Sequence, residues 1–342
     1  MTKRERIYAS IRRQPLDALP WQFDLTGRLI ERLQVYYGTT EVHAAIGDHL
    51  VWGAAVVPQG GEVSQDGVGP GQYRDEFGAV WQRDAPDRNV GDWGELVASP
   101  IAAPSLAGYH FPDASQYGRW RTVPDVRKRY PDHFLAVAGI GLFENGWALC
   151  GFENYLTYLG GEPKFIEALN EGLTDYSCQL TRQLKGMGVD GIRFGDDWAM
   201  QCSLMLRADT WRRLFKPYYR RIYAEAKAAG LVVMIHSCGQ VTELLPDLIE
   251  LGVEVVHPLQ PEAMDVAHCQ REFGRDLTFW GGIGSQSTIP RGTADDNRRE
   301  ARLRLRQFAA GGYILAPSGA APTETPVENI AAIVEVAKAQ LG

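Results

Sequence analysis

The stretch VVMIHSCGQV at 232–241 sets four apolar residues in front of His236 and Cys238, two positions apart, and follows them at once with a glycine. In an extended strand, residues i and i+2 project from the same face, so an imidazole and a thiol would stand side by side at the strand's carboxyl end. Nitrogen and thiolate donors are the ligands zinc takes, and a pair so placed could grip one ion. An isolated H-x-C is also what a half-buried histidine beside a buried thiol looks like, because two ligands do not make a zinc site. The elements that carry the pair have to separate the two readings.

Short β-rich apolar runs alternate with helix-period segments along the chain. The candidate strands are LPWQF from 19, HLVWGAAVV from 49, FLAVAGI from 134, VDGIRF from 189, LVVMIH from 231, VEVVHP from 253, LTFWGG from 277 and GYILAP from 312, eight in all. Between most of them lie helical patterns such as ADTWRRLFKPYYRRIYAEAKAAG, with Asp209 near its start and Gly230 at its end, and VTELLPDLIELG. Strand and helix repeated in this way predict an α/β fold, a (β/α)8 TIM barrel. From about 58 to 130 the pattern breaks into Gly-rich, shortly alternating sequence such as GGEVSQDGVGPGQYRDEFGAVWQRD, which predicts a loop and hairpin excursion on one face of the barrel. No low-complexity linker divides the chain, so residues 1–342 are expected to form one domain.

Composition narrows the function. With 342 residues, 45% of them hydrophobic, the chain can bury a large core. A formal net charge of -7 argues against a nucleic-acid partner, and the one dense basic run, RREARLRLRQ, alternates with apolar residues as a solvated helix face does. Five cysteines, at 150, 178, 202, 238 and 269, show no paired framework, as expected in a reducing compartment. The start MTKRERIYASIRRQP has no apolar leader core, and no apolar run reaches the roughly eighteen residues a membrane span needs. A cytoplasmic protein without membrane attachment is expected. Dinucleotide, phosphate-loop and serine-elbow motifs are absent from the sequence.

In a barrel, active sites sit where the strands end and the following loops begin. His236 and Cys238 fall there, as do Glu144 after LAVAGIGLF, Asp196 and Asp197 after GIRF, His257 and Gln260 after VEVV, and Ser318 after YILAP. Each has a plainer reading. Glu144 or Glu153 could cap or pair near a loop, the two aspartates could satisfy backbone amides at a helix start, and Ser318 could be a turn residue. Trp198 and Trp280 could wall a flat substrate, or could pack between loops and barrel. Convergence of so many polar groups on one rim favours a site.

The order FGDDWAMQ, then WRRLFKP at 211–217, then HSCGQV and LPDLIELGVEVVHPLQPEAMD, then FWGGI and ILAPSGAAPTETPVENI, resembles the uroporphyrinogen decarboxylase superfamily. More narrowly it resembles the decarboxylase-like branch that includes the corrinoid-dependent methyltransferases. The resemblance spans nearly the whole chain, is strongest from about 134 onward, and implies a (β/α)8 barrel.

Two chemistries compete within that superfamily. The tetrapyrrole decarboxylases use no metal and pair arginines with substrate carboxylates; where their first loop carries an R-Q-A-G-R-like motif, PWQFDLTGRLIERL offers only Arg28, and their F-S-D-I segment has no counterpart. The methyltransferases bind zinc through H-x-C and a later cysteine. His236 and Cys238 match the first part, whereas Gly319 stands where the late cysteine would be. The resemblance thus implies zinc on His236 and Cys238; a third ligand would have to come from His257, first choice because it lies one helix and one strand later at a similar height, or from Glu144 or Glu153, the alternative being that zinc binding has decayed. By their places at the strand ends, Glu144, Asp196 and Asp197 are expected to orient substrate or handle protons, and Trp198, Gln260, Trp280 and Ser318 to line the pocket. The expected reaction moves a methyl group between a small methylated substrate, a methoxylated aromatic or a thiol, and a corrinoid protein. A metal-free decarboxylase and a barrel that only binds a ligand are the alternatives.

Overall fold

The computed structural model of the chain describes residues 1–53, 68–82, 94–116 and 118–342. Its strands are β1 (Leu50–Trp52), β2 (Gln72–Arg74), β3 (Val80–Gln82), β4 (Glu95–Ala98), β5 (Phe134–Gly139), β6 (Gly191–Gly195), β7 (Val232–His236), β8 (Val255–Leu259), β9 (Thr278–Ile283) and β10 (Tyr313–Pro317). β1 and β5 through β10 form one sheet in that order, each pair parallel. The first predicted strand closes it. Trp21 bridges Leu315 of β10 in parallel, Leu315 N–H donates to Pro20 O at 2.9 Å, and on the other side His49 N–H donates to Trp21 O at 3.0 Å, just ahead of β1. All eight predicted runs therefore contribute to the ring. The run at 19 pairs only briefly, consistent with Pro20 having no N–H to give a ladder. Residues 54–57 of the second predicted run lie outside the described residues.

Between β1 and β5 the described chain leaves the barrel sheet. The described part of this stretch holds the antiparallel sheet β2–β3–β4 and a helix, Val123–Arg129; residues 58–67, 83–93 and 117 lie outside the described residues. The small sheet packs on barrel helices through Trp81 against Trp147, ring centroids 5.8 Å apart, and through Phe77 against Tyr176 at 4.9 Å.

Alternation along the strands makes two cores. Leu135, Val137, Ile192, Phe194, Val233, Ile235 and Val256 face outward into the helix layer. Phe134, Ala136, Val232, Met234, Val255, Trp280, Ile314 and Ala316 face inward and fill the barrel, plugged at its amino end by Ile7 and Ile11 of the helix Lys3–Ile11. The same period carries the inward face past Val232 and Met234 to His236, past Val255 to His257, and through Gly191 to Arg193. Among the described residues, no helix is long and apolar enough to cross a membrane.

Candidate active site

At the carboxyl ends of the strands a cavity of ≈ 210 Å³ opens, with Asp24, Glu76, Arg119, Glu144, Arg193, Asp197, His236, His257 and Gly319 among its walls. Register fixes the centre: His236 ends β7 beside Gly195 of β6 on one side and His257 of β8 on the other. His236 and Cys238 do share a face. The thiol Sγ lies 3.5 Å from His236 Nε2, and Asp197 Oδ1 lies 3.6 Å from the same nitrogen while accepting the Cys238 N–H at 2.7 Å. Among the described residues, Asp197, His236 and Cys238 are the group whose ligand atoms all fall within 4.8 Å of one another. His257 sits on the opposite edge of the His236 ring, Nδ1 to Nδ1 at 2.7 Å. The third donor beside His236 and Cys238 is thus Asp197. Glu153, in the first turn of helix Phe152–Gly161, is exposed.

The electrostatics suit a dication. Burial pushes the Cys238 thiol up, and Asp197 and Glu144 push it further. Burial likewise holds the Glu144 carboxyl well above the usual carboxylate range, with Asp197 and Asp196 adding to the effect, and keeps His236 below its ordinary value. A neutral imidazole is a ready ligand, and a divalent cation would offset crowded carboxylates and favour thiolate. An oxygen, nitrogen and sulfur set of this kind fits zinc.

Asp196 is held differently. Its carboxylate accepts from the N–H groups of Leu142, Phe143 and Glu144 at 3.0, 2.9 and 2.7 Å, and from Trp198 Nε1 at 3.0 Å. It thereby holds the first turn of helix Leu142–Cys150, although burial raises its carboxyl to about 7. The contact is tight enough to require a glycine at 141, where a Cβ would lie 1.8 Å from Gly195 O. Asp196 does not line the cavity. Trp198 packs between Trp211 and Tyr219 at 5.2 and 5.4 Å. Trp280 is buried inside the barrel against His257 at 4.5 Å. Gln260 accepts the Gly239 N–H at 3.0 Å, and Ser318 bonds Ser285 at 3.1 Å. These four tryptophan, glutamine and serine side chains support the rim from behind and are not among the residues facing the cavity. At Gly319, φ is +122°, and the nearest atom to an added Cβ is Ser285 Oγ at 3.8 Å; there is room for a side chain, but on a strained backbone.

Five charged cavity residues were not singled out in the sequence: Asp24, Asp75, Glu76, Arg119 and Arg193. Arg193 had a signal, a cation inside an otherwise apolar strand between Ile192 and Phe194. Asp24 had one as well, following the first predicted strand as Asp196 follows the fourth. Glu76 and Arg119 come from the excursion, where no periodicity placed them.

A parallel barrel with a histidine, thiol and carboxylate cluster at its strand ends is an enzyme-type architecture. The profile of the uroporphyrinogen decarboxylase (URO-D) family matches residues 142–340, and the chain belongs to that family. Over 161 residues it is 28% identical to the methylcobamide:CoM methyltransferase MtaA of Methanosarcina barkeri, a match covering 47% of this chain and 45% of that protein. The chain thus matches less than half the length of this curated relative. A solved methyltransferase from Methanosarcina mazei superposes with a TM-score of 0.76 over 99% of both chains at 19% identity, a likeness of fold.

Proposed function

We propose that the protein transfers a methyl group between a small methylated substrate, a methoxylated aromatic or a thiol, and a corrinoid protein, with zinc held by Asp197, His236 and Cys238. The observation that carries this reading is the three-donor group at the cavity wall; the partial match to a methylcobamide-dependent methyltransferase supports it. When bound, zinc would stabilise a substrate thiolate or polarise an ether oxygen. Glu144 lines the cavity with its carboxyl pushed up by burial and the neighbouring aspartates, and would be the group to give a proton to an oxygen that loses its methyl group. The walls select against a polycarboxylate. Arg193 is engaged by Asp24 at 3.5 Å and Arg119 by Glu76, so neither cation stands free to pair with substrate carboxylates, as the metal-free decarboxylation would require. Free cysteines at all five positions support a reducing, cytoplasmic setting.

The test pairs metal analysis with turnover. Protein purified without chelator should carry close to one zinc per chain and should methylate reduced cobalamin, followed by absorbance, from one member of a panel of methoxyarenes and methyl thioethers. Carbon dioxide release from uroporphyrinogen with no corrinoid added would overturn the reading.

A further inference from the structure

In the cavity wall a buried cation bears on where the protons of two histidines sit. Arg193 is 7% exposed, with its guanidinium 4.3 Å from the ring of Trp52 and 5.2 Å from that of Trp280. One of its nitrogens, Nη1, faces Asp24 Oδ2 and His257 Nδ1, each at 3.5 Å. A guanidinium has donors only. The nitrogen it faces, His257 Nδ1, is therefore the accepting one. That same atom lies 2.7 Å from His236 Nδ1. Two bare nitrogens do not hydrogen-bond, so the proton of this contact belongs to His236 Nδ1. A neutral imidazole has one N–H, which leaves the lone pair of His236 on Nε2, the atom turned to Cys238 Sγ at 3.5 Å and Asp197 Oδ1 at 3.6 Å. The proton of His257 then sits on Nε2, the nitrogen turned to Asp24 Oδ2 at 4.0 Å, and Asp24 is itself anchored by Gln22 Nε2 at 2.9 Å.

We infer that Arg193, His257 and Asp24 are positioning residues that lock His236 in its Nδ1–H tautomer and so present Nε2 as the metal-binding atom. The inference rests on reading Asp197, His236 and Cys238 as a zinc site. Strand register supports it, because His236 and His257 are direct partners across β7 and β8 and Arg193 lies two residues before Gly195, the partner of His236 on β6. The ring is thus held from the barrel side by His257, which Arg193 and Asp24 hold in turn. An imidazole fixed in this way binds metal better than one free to change tautomer.

Nitrogen-15 NMR of histidine-labelled, metal-free protein reads the tautomer directly. The expected result is Nδ1–H for His236; an Nε2–H signal would overturn the inference whatever the metal does. The second arm measures zinc affinity by competition with a chelator. His257→Leu, which removes the acceptor, should weaken zinc by about 10–100-fold. His257→Gln, whose Oε1 can still accept from Nδ1–H, should stay close to wild type. Wild-type affinity in the leucine variant, or equal loss in a folded glutamine variant, would overturn the lock. Absence of zinc binding by the wild type would sink the metal site instead, with the tautomer still decided by NMR.

Discussion

Asp196 and Asp197 are adjacent in sequence and serve opposite sides of the end of β6. Asp196 turns into the protein to accept the amides of Leu142, Phe143 and Glu144, whereas Asp197 turns to the cavity and accepts the Cys238 N–H at 2.7 Å. One carboxylate holds a helix; the other stands among the metal-type donors.

Neutralising each should therefore give opposite phenotypes. Asp196→Asn should lower stability by about 1–3 kcal/mol in a denaturant titration, since two buried acceptor oxygens that serve four N–H donors are replaced by one oxygen and an NH2. Asp197→Asn should keep the fold and lose zinc affinity by at least about tenfold. A stable Asp196→Asn protein without zinc would contradict the division.

The approach of β6 to the helix Leu142–Cys150 makes Gly141→Ala a severe change. A Cβ there would lie 1.8 Å from Gly195 O and 2.6 Å from the Asp196 carboxyl, and both neighbours are fixed. Thermal unfolding should register a loss of at least about 1–3 kcal/mol. An unchanged midpoint would mean that the loop ahead of the helix runs differently.

His49 gives the molecule an acid-sensitive term. It is buried against Trp21, ring centroids 4.2 Å apart, and burial first, then Arg6, Lys3 and His133, lower its pKa to about 3. Because the folded value lies below the unfolded value near 6.5, its contribution is fully present above about pH 6.5 and is lost as pH falls towards 3, by at most on the order of 4–5 kcal/mol. The stability difference between wild type and His49→Gln should change across that window. Parallel curves would show that His49 titrates normally.

Glu76 and Arg119 form an ion pair in which both side chains are almost wholly buried. Removing one partner, as in Arg119→Met, should cost about 3–5 kcal/mol, while joint replacement with Glu76→Leu should recover much of it. Additive losses in a double-mutant cycle would show that the two charges act separately.

The ring of strands was legible because a buried parallel sheet demands apolar runs of a certain length, and FLAVAG, VVMIH and YILAP could satisfy little else. The period also placed His236 and Cys238 together. What sequence could not give was direction around the ring. Sequence offered His257 as a third donor, since it lies one strand over at equal height, but the side chain meets the Nδ1 edge of His236 while Asp197 reaches the Nε2 edge. Trp198 and Trp280 carry no mark in sequence to tell a cavity wall from its backing. Glu76 and Arg119 belong to irregular chain, where no repeat links position to orientation.

The turn between β2 and β3 lends the cavity Asp75, Glu76 and Phe77, but none of the donors near Cys238. On the proposed function, the substrate's outline and its reacting atom would thus be met by different stretches of chain. On that same proposal, the turn could be rewritten to admit a different substrate while the histidine and carboxylate, set by strand register, stay where they are.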